Sequence, residues 1–113
     1  MAMTKQFAAI EPTRNEIDAL SGLVVLEFGT PWCGYCQAAQ PIIEQAFSHL
    51  SALQLSTLRH LKVEDGSGRP LGRSFRVKLW PTLIFLRNGE EILRLVRPTD
   101  SDSIRIAFEQ LQH

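Results

Sequence analysis

The sequence predicts an α/β fold on a mixed sheet, and three observations carry that reading. Residues 23–26 and 83–86 run apolar without alternation inside strand-like segments 23–28 and 82–86, as in strands covered on both faces. Residues 33–50 and 101–111 repeat their apolar side chains at helical spacing. Asn88-Gly89 sits between two strand-like segments, where a tight hairpin turn needs positive φ at both positions. Strands that alternate with helices imply parallel crossovers, and the hairpin adds an antiparallel pair.

Residues 7–10 read as a short first strand. Thr13 and Glu16 have capping-box spacing and open a helix to residue 20, with Ile17 and Leu20 on its apolar side and Ser21-Gly22 as its stop. The buried strand 23–28 follows. The segment from Cys33 to about Leu50 is the longest helix, its stripe formed by Ile42, Ile43, Ala46, Phe47 and Leu50. Pro41 falls inside it and removes one i→i−4 bond, which predicts a kink rather than a stop. Residues 55–63 read as a strand anchored by Leu58, Leu61 and Val63. A loop over 66–70 leads to one or two helical turns at 71–75, then to the hairpin 82–86 and 91–96. Pro98 breaks the chain, Asp100 or Ser101 caps, and Ile104, Ala107, Phe108 and Leu111 line the final helix. The expected order is β-α-β-α-β-α-β-β-α, with helices for both sheet faces.

The 113 residues suffice for one domain, 1–113, and one core, and the composition is that of an ordinary globular chain at 44% hydrophobic and 21% charged. Twelve basic residues balance twelve acidic ones, so no bulk field favours nucleic acid or an anionic membrane, and a monomer is expected. Apolar stretches reach only five or six residues, against roughly 20 to span a bilayer. Glu11, Arg14, Glu16 and Asp18 interrupt any secretory core, so a cytoplasmic location is expected.

Chemistry concentrates at Trp32-Cys33-Gly34-Tyr35-Cys36, which holds the only two cysteines. A sulfur at a helix start faces free N–H groups and the positive end of the dipole, which favours a thiolate. A second thiol one turn on can then close a disulfide, the signature of a redox pair beside a βαβ pattern. Cys33 is expected to be the exposed nucleophile beside Trp32, and Cys36 the more buried partner. Static disulfides are rare in cytosolic chains. Zinc would need four ligands, and His49, His60 and His113 lack ligand spacing to the pair. Haem attachment would need His after Cys36, where Gln37 stands. No metal or cofactor is expected. Glu27, between Leu26 and Phe28 on a buried strand, would meet a desolvation cost that favours its protonated form and fits it to accept the proton of Cys36 through a water. His49 and His60 read as helix-face and strand-surface residues.

The chain resembles the thioredoxin family from about residue 23 onward. Pro41 stands eight residues after Cys33, Trp80-Pro81-Thr82 matches the family's cis-proline site, and Lys62 lies nineteen residues before Pro81. The resemblance implies a thioredoxin fold, a central mixed sheet of four to five strands flanked by helices on both faces. It implies a thiol–disulfide oxidoreductase that reduces protein disulfides and is recharged by a thioredoxin reductase or by glutathione. It implies a cis Pro81 that turns the Trp80 backbone toward the dithiol to pair with an extended substrate, and a Lys62 that tunes Glu27. Trp32, Gly34, Tyr35, Trp80, Pro81 and Arg97 would form the substrate-facing surface. The chain departs from the family with Glu27 for an aspartate, Gly29 for an aromatic, Gly-Tyr between the cysteines and Arg97 for a glycine. A disulfide oxidase or isomerase is the alternative enzyme reading. A non-catalytic protein-binding module on the same scaffold is the reading from a different class.

Overall fold

The structure, a computed structural model, describes residues 3–112. Its sheet has the order β2-β1-β3-β4 and is built around β1 (Leu23–Gly29), whose residues from Val24 onward are all buried. Strand β2 (Leu58–Glu64) pairs parallel to β1, with Glu27 opposite Lys62; β3 (Thr82–Arg87) pairs antiparallel on the other side, with Phe28 opposite Thr82. Strand β4 (Glu90–Val96) completes the hairpin with β3, with a register shift at Phe85/Leu86. The mixed four-strand sheet flanked by helices is the fold the sequence predicts.

Two helices cover each face. Val25, Leu83 and Phe85 point to α2 (Gly34–Ser48) and α5 (Ser101–Gln112), where they meet Ile43, Phe47, Ile104 and Phe108. Val24, Leu26, Phe28, Ile84 and Leu86 point the other way, to Ile17 of α1 (Arg14–Asp18) and Leu71 of α4 (Pro70–Ser74). That split explains the unbroken apolar runs, since every residue of a strand covered on both faces meets side chains. Thr13 makes the expected capping box with Glu16, and Asp100 caps α5 through the Ser103 N–H at 2.7 Å. Helix α2 continues past Pro41. Asn88 and Gly89 take φ of 51° and 82°, and a Cβ on Gly89 would strike the Asp18 carbonyl, so glycine is required there by conformation and by space.

Two expected elements are corrected. Residues 7–10 form no strand: their single backbone hydrogen bond to β2 runs from the Ala8 N–H to the Lys62 carbonyl (2.8 Å), while Ala8, Ala9 and Ile10 lie exposed and bury nothing that would hold a ladder. The strand expected from residue 55 begins at Leu58, because 52–57 form α3 (Ala52–Thr57). Ser51 accepts the Gln54 N–H at 3.1 Å, and the Gln54 side chain accepts the Ser51 N–H at 2.7 Å, a second capping box.

The topology gathers the candidate site residues at one edge. The carboxyl end of β1 runs into the start of α2, the amino end of antiparallel β3 lies beside it, and β4 returns to the same edge at Val96, opposite Thr82.

Candidate active site

Cys33 is the N-cap of α2, with φ −78° and ψ 117°, and its Sγ accepts the Cys36 backbone N–H at 3.2 Å. Sulfur thus fills the role an Asp or Ser oxygen usually has, and a negative charge there gains from the free amides of the first turn. Both cysteines are free thiols. The expectation of an exposed Cys33 is corrected, for it is only 7% exposed and Cys36 4%. The cap bond turns Sγ inward over the helix start while Trp32, 72% exposed, projects outward. Gly29 seats the second sulfur: a Cβ there would lie 2.6 Å from Cys36 Sγ.

Burial pushes the Cys36 thiol up to about 12; the side-chain hydrogen bond with Cys33 and the charges of Cys33 and Glu27 add to this, and the Thr30 backbone hydrogen bond opposes it. The shift makes stability depend on pH. Unfolded, the thiol loses its proton near 9.0; folded, it keeps that proton until about 12, so the folded state binds more protons between these values. The contribution is therefore present below pH 9 and is lost as pH rises through that window. Thermal unfolding of the reduced protein from pH 8 to 11 should show a decline that is shallower in Cys36→Ser.

Glu27 is 1% exposed and shares its sheet face with His60 and Lys62 of β2. Its Oε1 lies 2.9 Å from His60 Nε2, its Oε2 accepts from Gln40 Nε2 at 2.7 Å, and Lys62 Nζ stands 3.9 Å from Oε2. Lys62 Nζ also donates to Gln40 Oε1 at 3.1 Å, and Gln40 Nε2 reaches the Cys36 carbonyl at 3.2 Å. The surface reading of His60 is corrected: it is 1% exposed. The Thr4 backbone N–H donates to His60 Nδ1 at 2.9 Å, so Nδ1 is an acceptor and Nε2 carries the hydrogen that faces Glu27. Two residues the sequence reading missed, Gln40 and His60, thus complete the shell of the buried acid. Period-two spacing from Lys62 was a signal for His60, and the one-turn step from Cys36 was a signal for Gln40. His49 is exposed at the end of α2, as expected.

The Trp80–Pro81 bond is cis, and Trp80 packs edge-on to Trp32 with ring centroids 5.7 Å apart. Asp65, also missed in the sequence, fixes the Trp80 indole by accepting from Nε1 at 2.8 Å. Arg97 has φ of 52°; its N–H donates to the Pro81 carbonyl and its Nε to the Trp80 carbonyl, each at 2.9 Å. Its guanidinium lies 3.9 Å from the centroid of the exposed Tyr35 ring. Gly34, the first residue of α2, is exposed beside Tyr35. A groove of about 440 Å³ runs between Tyr35, Ile42, Pro81, Arg97 and Pro98. The structure therefore brings Cys33, Cys36, Trp32, Tyr35, Trp80, Pro81 and Arg97 to one edge, with Glu27 and Lys62 beneath. Among the described residues no three His, Cys, Asp or Glu side chains gather as metal ligands; His113 lies outside them. No helix among them is long and apolar enough to cross a membrane.

A family model described as Thioredoxin matches residues 8–110. Thioredoxin 2 of Pseudomonas aeruginosa PAO1, solved in its reduced form, is 51% identical, with 96% of each chain covered and a TM-score of 0.81. A thioredoxin of Chlamydia trachomatis is 38% identical over 85 residues, 74% of this chain and 78% of that one. A protein disulfide-isomerase of Datisca glomerata is 32% identical over 105 residues, 89% of this chain but only 21% of that protein.

Proposed function

The chain belongs to the thioredoxin family of thiol–disulfide oxidoreductases, and from that premise we propose that it reduces disulfides in proteins, with Cys33 as nucleophile and Cys36 as resolving thiol. The observation that carries this reading is the Cys33 sulfur capping α2 beside the cis Trp80–Pro81 bond. The Cys33 thiolate attacks one sulfur of the substrate disulfide; a Cys33–substrate disulfide forms, and the other substrate sulfur leaves as a thiolate that takes a proton from solvent. Cys36, deprotonated, then attacks Cys33 Sγ, the mixed disulfide breaks, and the second substrate thiolate leaves. Two electrons pass from the dithiol to the substrate, and the chain ends with a Cys33–Cys36 disulfide.

A thiol held up to about 12 needs a base for the second step, and Glu27 is the proposed one, reached through a bridging water. Gln40 and His60 hold its two oxygens, and Lys62 offsets its charge. Trp32 and Trp80 form an apolar rim, and the backbone of Trp80 offers an edge to an extended substrate segment. The proposed setting is a monomeric single domain in the cytoplasm, where a thioredoxin reductase or glutathione returns the pair to the dithiol.

The test is the equilibrium of the Cys33/Cys36 couple against a glutathione buffer, together with insulin-disulfide reduction driven by dithiothreitol. A reductase should lie near about −270 mV, whereas strong oxidants lie near about −120 mV. A potential at the oxidising end, or no acceleration of insulin reduction, removes the reductase reading.

A further inference from the structure

We propose that Arg97 makes this site prefer protein disulfides flanked by an acidic side chain, a step that rests on the disulfide-reductase reading above. A left-handed φ of 52° is uncommon for a side chain as long as arginine's, and glycine would take it without strain. An outlier of this kind at a site edge points to what the side chain does there. The guanidinium uses Nε on the Trp80 carbonyl and one face on Tyr35, and its two terminal amino groups have no hydrogen-bond or carboxylate partner among the described residues. Those two groups form a planar pair of donors matched to a carboxylate.

The surroundings favour an anion. Residues 66–89 carry Arg69, Arg73, Arg76, Lys78 and Arg87 and no acid, in a chain whose net charge is zero. Arg69 pairs with Glu64, and Arg87 binds the last carbonyls of α5. Arg73, Arg76 and Lys78 are exposed on the segment that leads to Trp80, and none has a carboxylate within ion-pair distance among the described residues. The adjacent acid, Asp65, is committed to the Trp80 indole. The Trp80 carbonyl that would pair with a substrate backbone is held by Arg97 in the free protein. A substrate carboxylate draws the guanidinium onto itself and releases that carbonyl for the incoming backbone N–H. A neutral substrate has to displace the arginine with nothing to receive it.

Two otherwise identical disulfide-bonded peptides, with Glu or Gln next to one cysteine, test this. Each is mixed with the reduced protein and no other reductant, so that the electrons come from Cys33 and Cys36 alone. Wild type should react roughly fivefold faster with the Glu peptide, and added salt should shrink the difference. In Arg97→Gly, which suits the backbone at this position, the two rates should converge, and Arg97→Lys should retain part of the preference. Equal rates in wild type overturn the proposal. An undiminished preference in Arg97→Gly also overturns it, and moves the selectivity to Arg73, Arg76 or Lys78. A stronger Arg97 dependence with oxidised glutathione than with the Glu peptide overturns the protein assignment in favour of that tripeptide. Failure to react with either peptide would instead overturn the disulfide-reductase reading beneath it.

Discussion

Cys33→Ser should lower disulfide reduction by at least about 10³-fold while leaving the fold intact. The two halves of this expectation have different causes. The proposed reaction needs a sulfur anion, and a serine hydroxyl ionises too weakly to attack a disulfide at neutral pH. Position 33 is also an N-cap, where the side-chain atom accepts the Cys36 N–H, and serine is among the preferred residues for that role. The substitution therefore deletes the nucleophile and keeps the cap. Insulin reduction and urea unfolding on the same preparation check both. A variant as stable as wild type but inactive assigns the chemistry to this sulfur; one retaining a tenth of the activity would move the attack to Cys36. The paired variant Cys36→Ser should instead accumulate a mixed disulfide with a labelled substrate, since the first step survives and the second does not. Cys33 is only 7% exposed, and in the proposed reaction the substrate sulfur reaches it at the helix mouth, beside the packed rings of Trp32 and Trp80.

What the sequence disclosed follows the range of the forces involved. Local signals were legible: the Thr13–Glu16 box, the Asn88-Gly89 turn and the α5 stripe each state their geometry within a few residues. Helix α3 was legible in principle, since Ser51 and Gln54 have the same box spacing, but the β-like run that follows drew the boundary three residues early. Residues 7–10 have strand-like composition, yet pairing depends on burial that a sequence window does not contain. The site divides in the same way. Cys33 and Cys36 were legible from their spacing, and Pro81 and Lys62 through the family resemblance. The other partners of Glu27 were not, because His60 arrives from a parallel strand 33 residues away and Gln40 from the helix above. An apolar-polar count reads His60 as a surface residue; its period-two spacing from Lys62 hints otherwise, and the β1–β2 register places it on a covered face with Glu27. Arg97 stands out in the sequence as a departure from the family, but its hold on the Trp80 carbonyl depends on a backbone angle that sequence does not display.

Glu27→Ala should destabilise the reduced protein by about 3–5 kcal/mol, the usual range for breaking a buried ion pair from one side. The carboxylate is 1% exposed and faces three donors, from His60, Gln40 and Lys62. Without it the His60 Nε2–H loses its acceptor. The Lys62 amine, at 6% exposure, is left with the Gln40 and Lys5 oxygens, at 3.1 and 3.4 Å, and the Phe7 ring face in place of a carboxylate. Against a total stability of about 5–15 kcal/mol for a domain, such a loss is severe. Glu27→Gln keeps an acceptor and nearly the same shape, so it should lose less. Glu27→Leu combined with Lys62→Met should recover much of the loss, because it removes both charges together. Urea unfolding measures all three; a loss below about 1 kcal/mol for Glu27→Ala would mean that water reaches the acid and that its burial does not set its chemistry. Activity gives an independent reading through pH. The Glu27 charge is one of the influences that raise Cys36, so its removal eases ionisation of that thiol while taking away the proposed base. Folded Glu27→Gln should therefore reduce substrate more slowly than wild type at pH 7 and approach it as pH rises, when hydroxide takes the proton instead. A deficit that stays constant with pH would assign Glu27 a purely structural role.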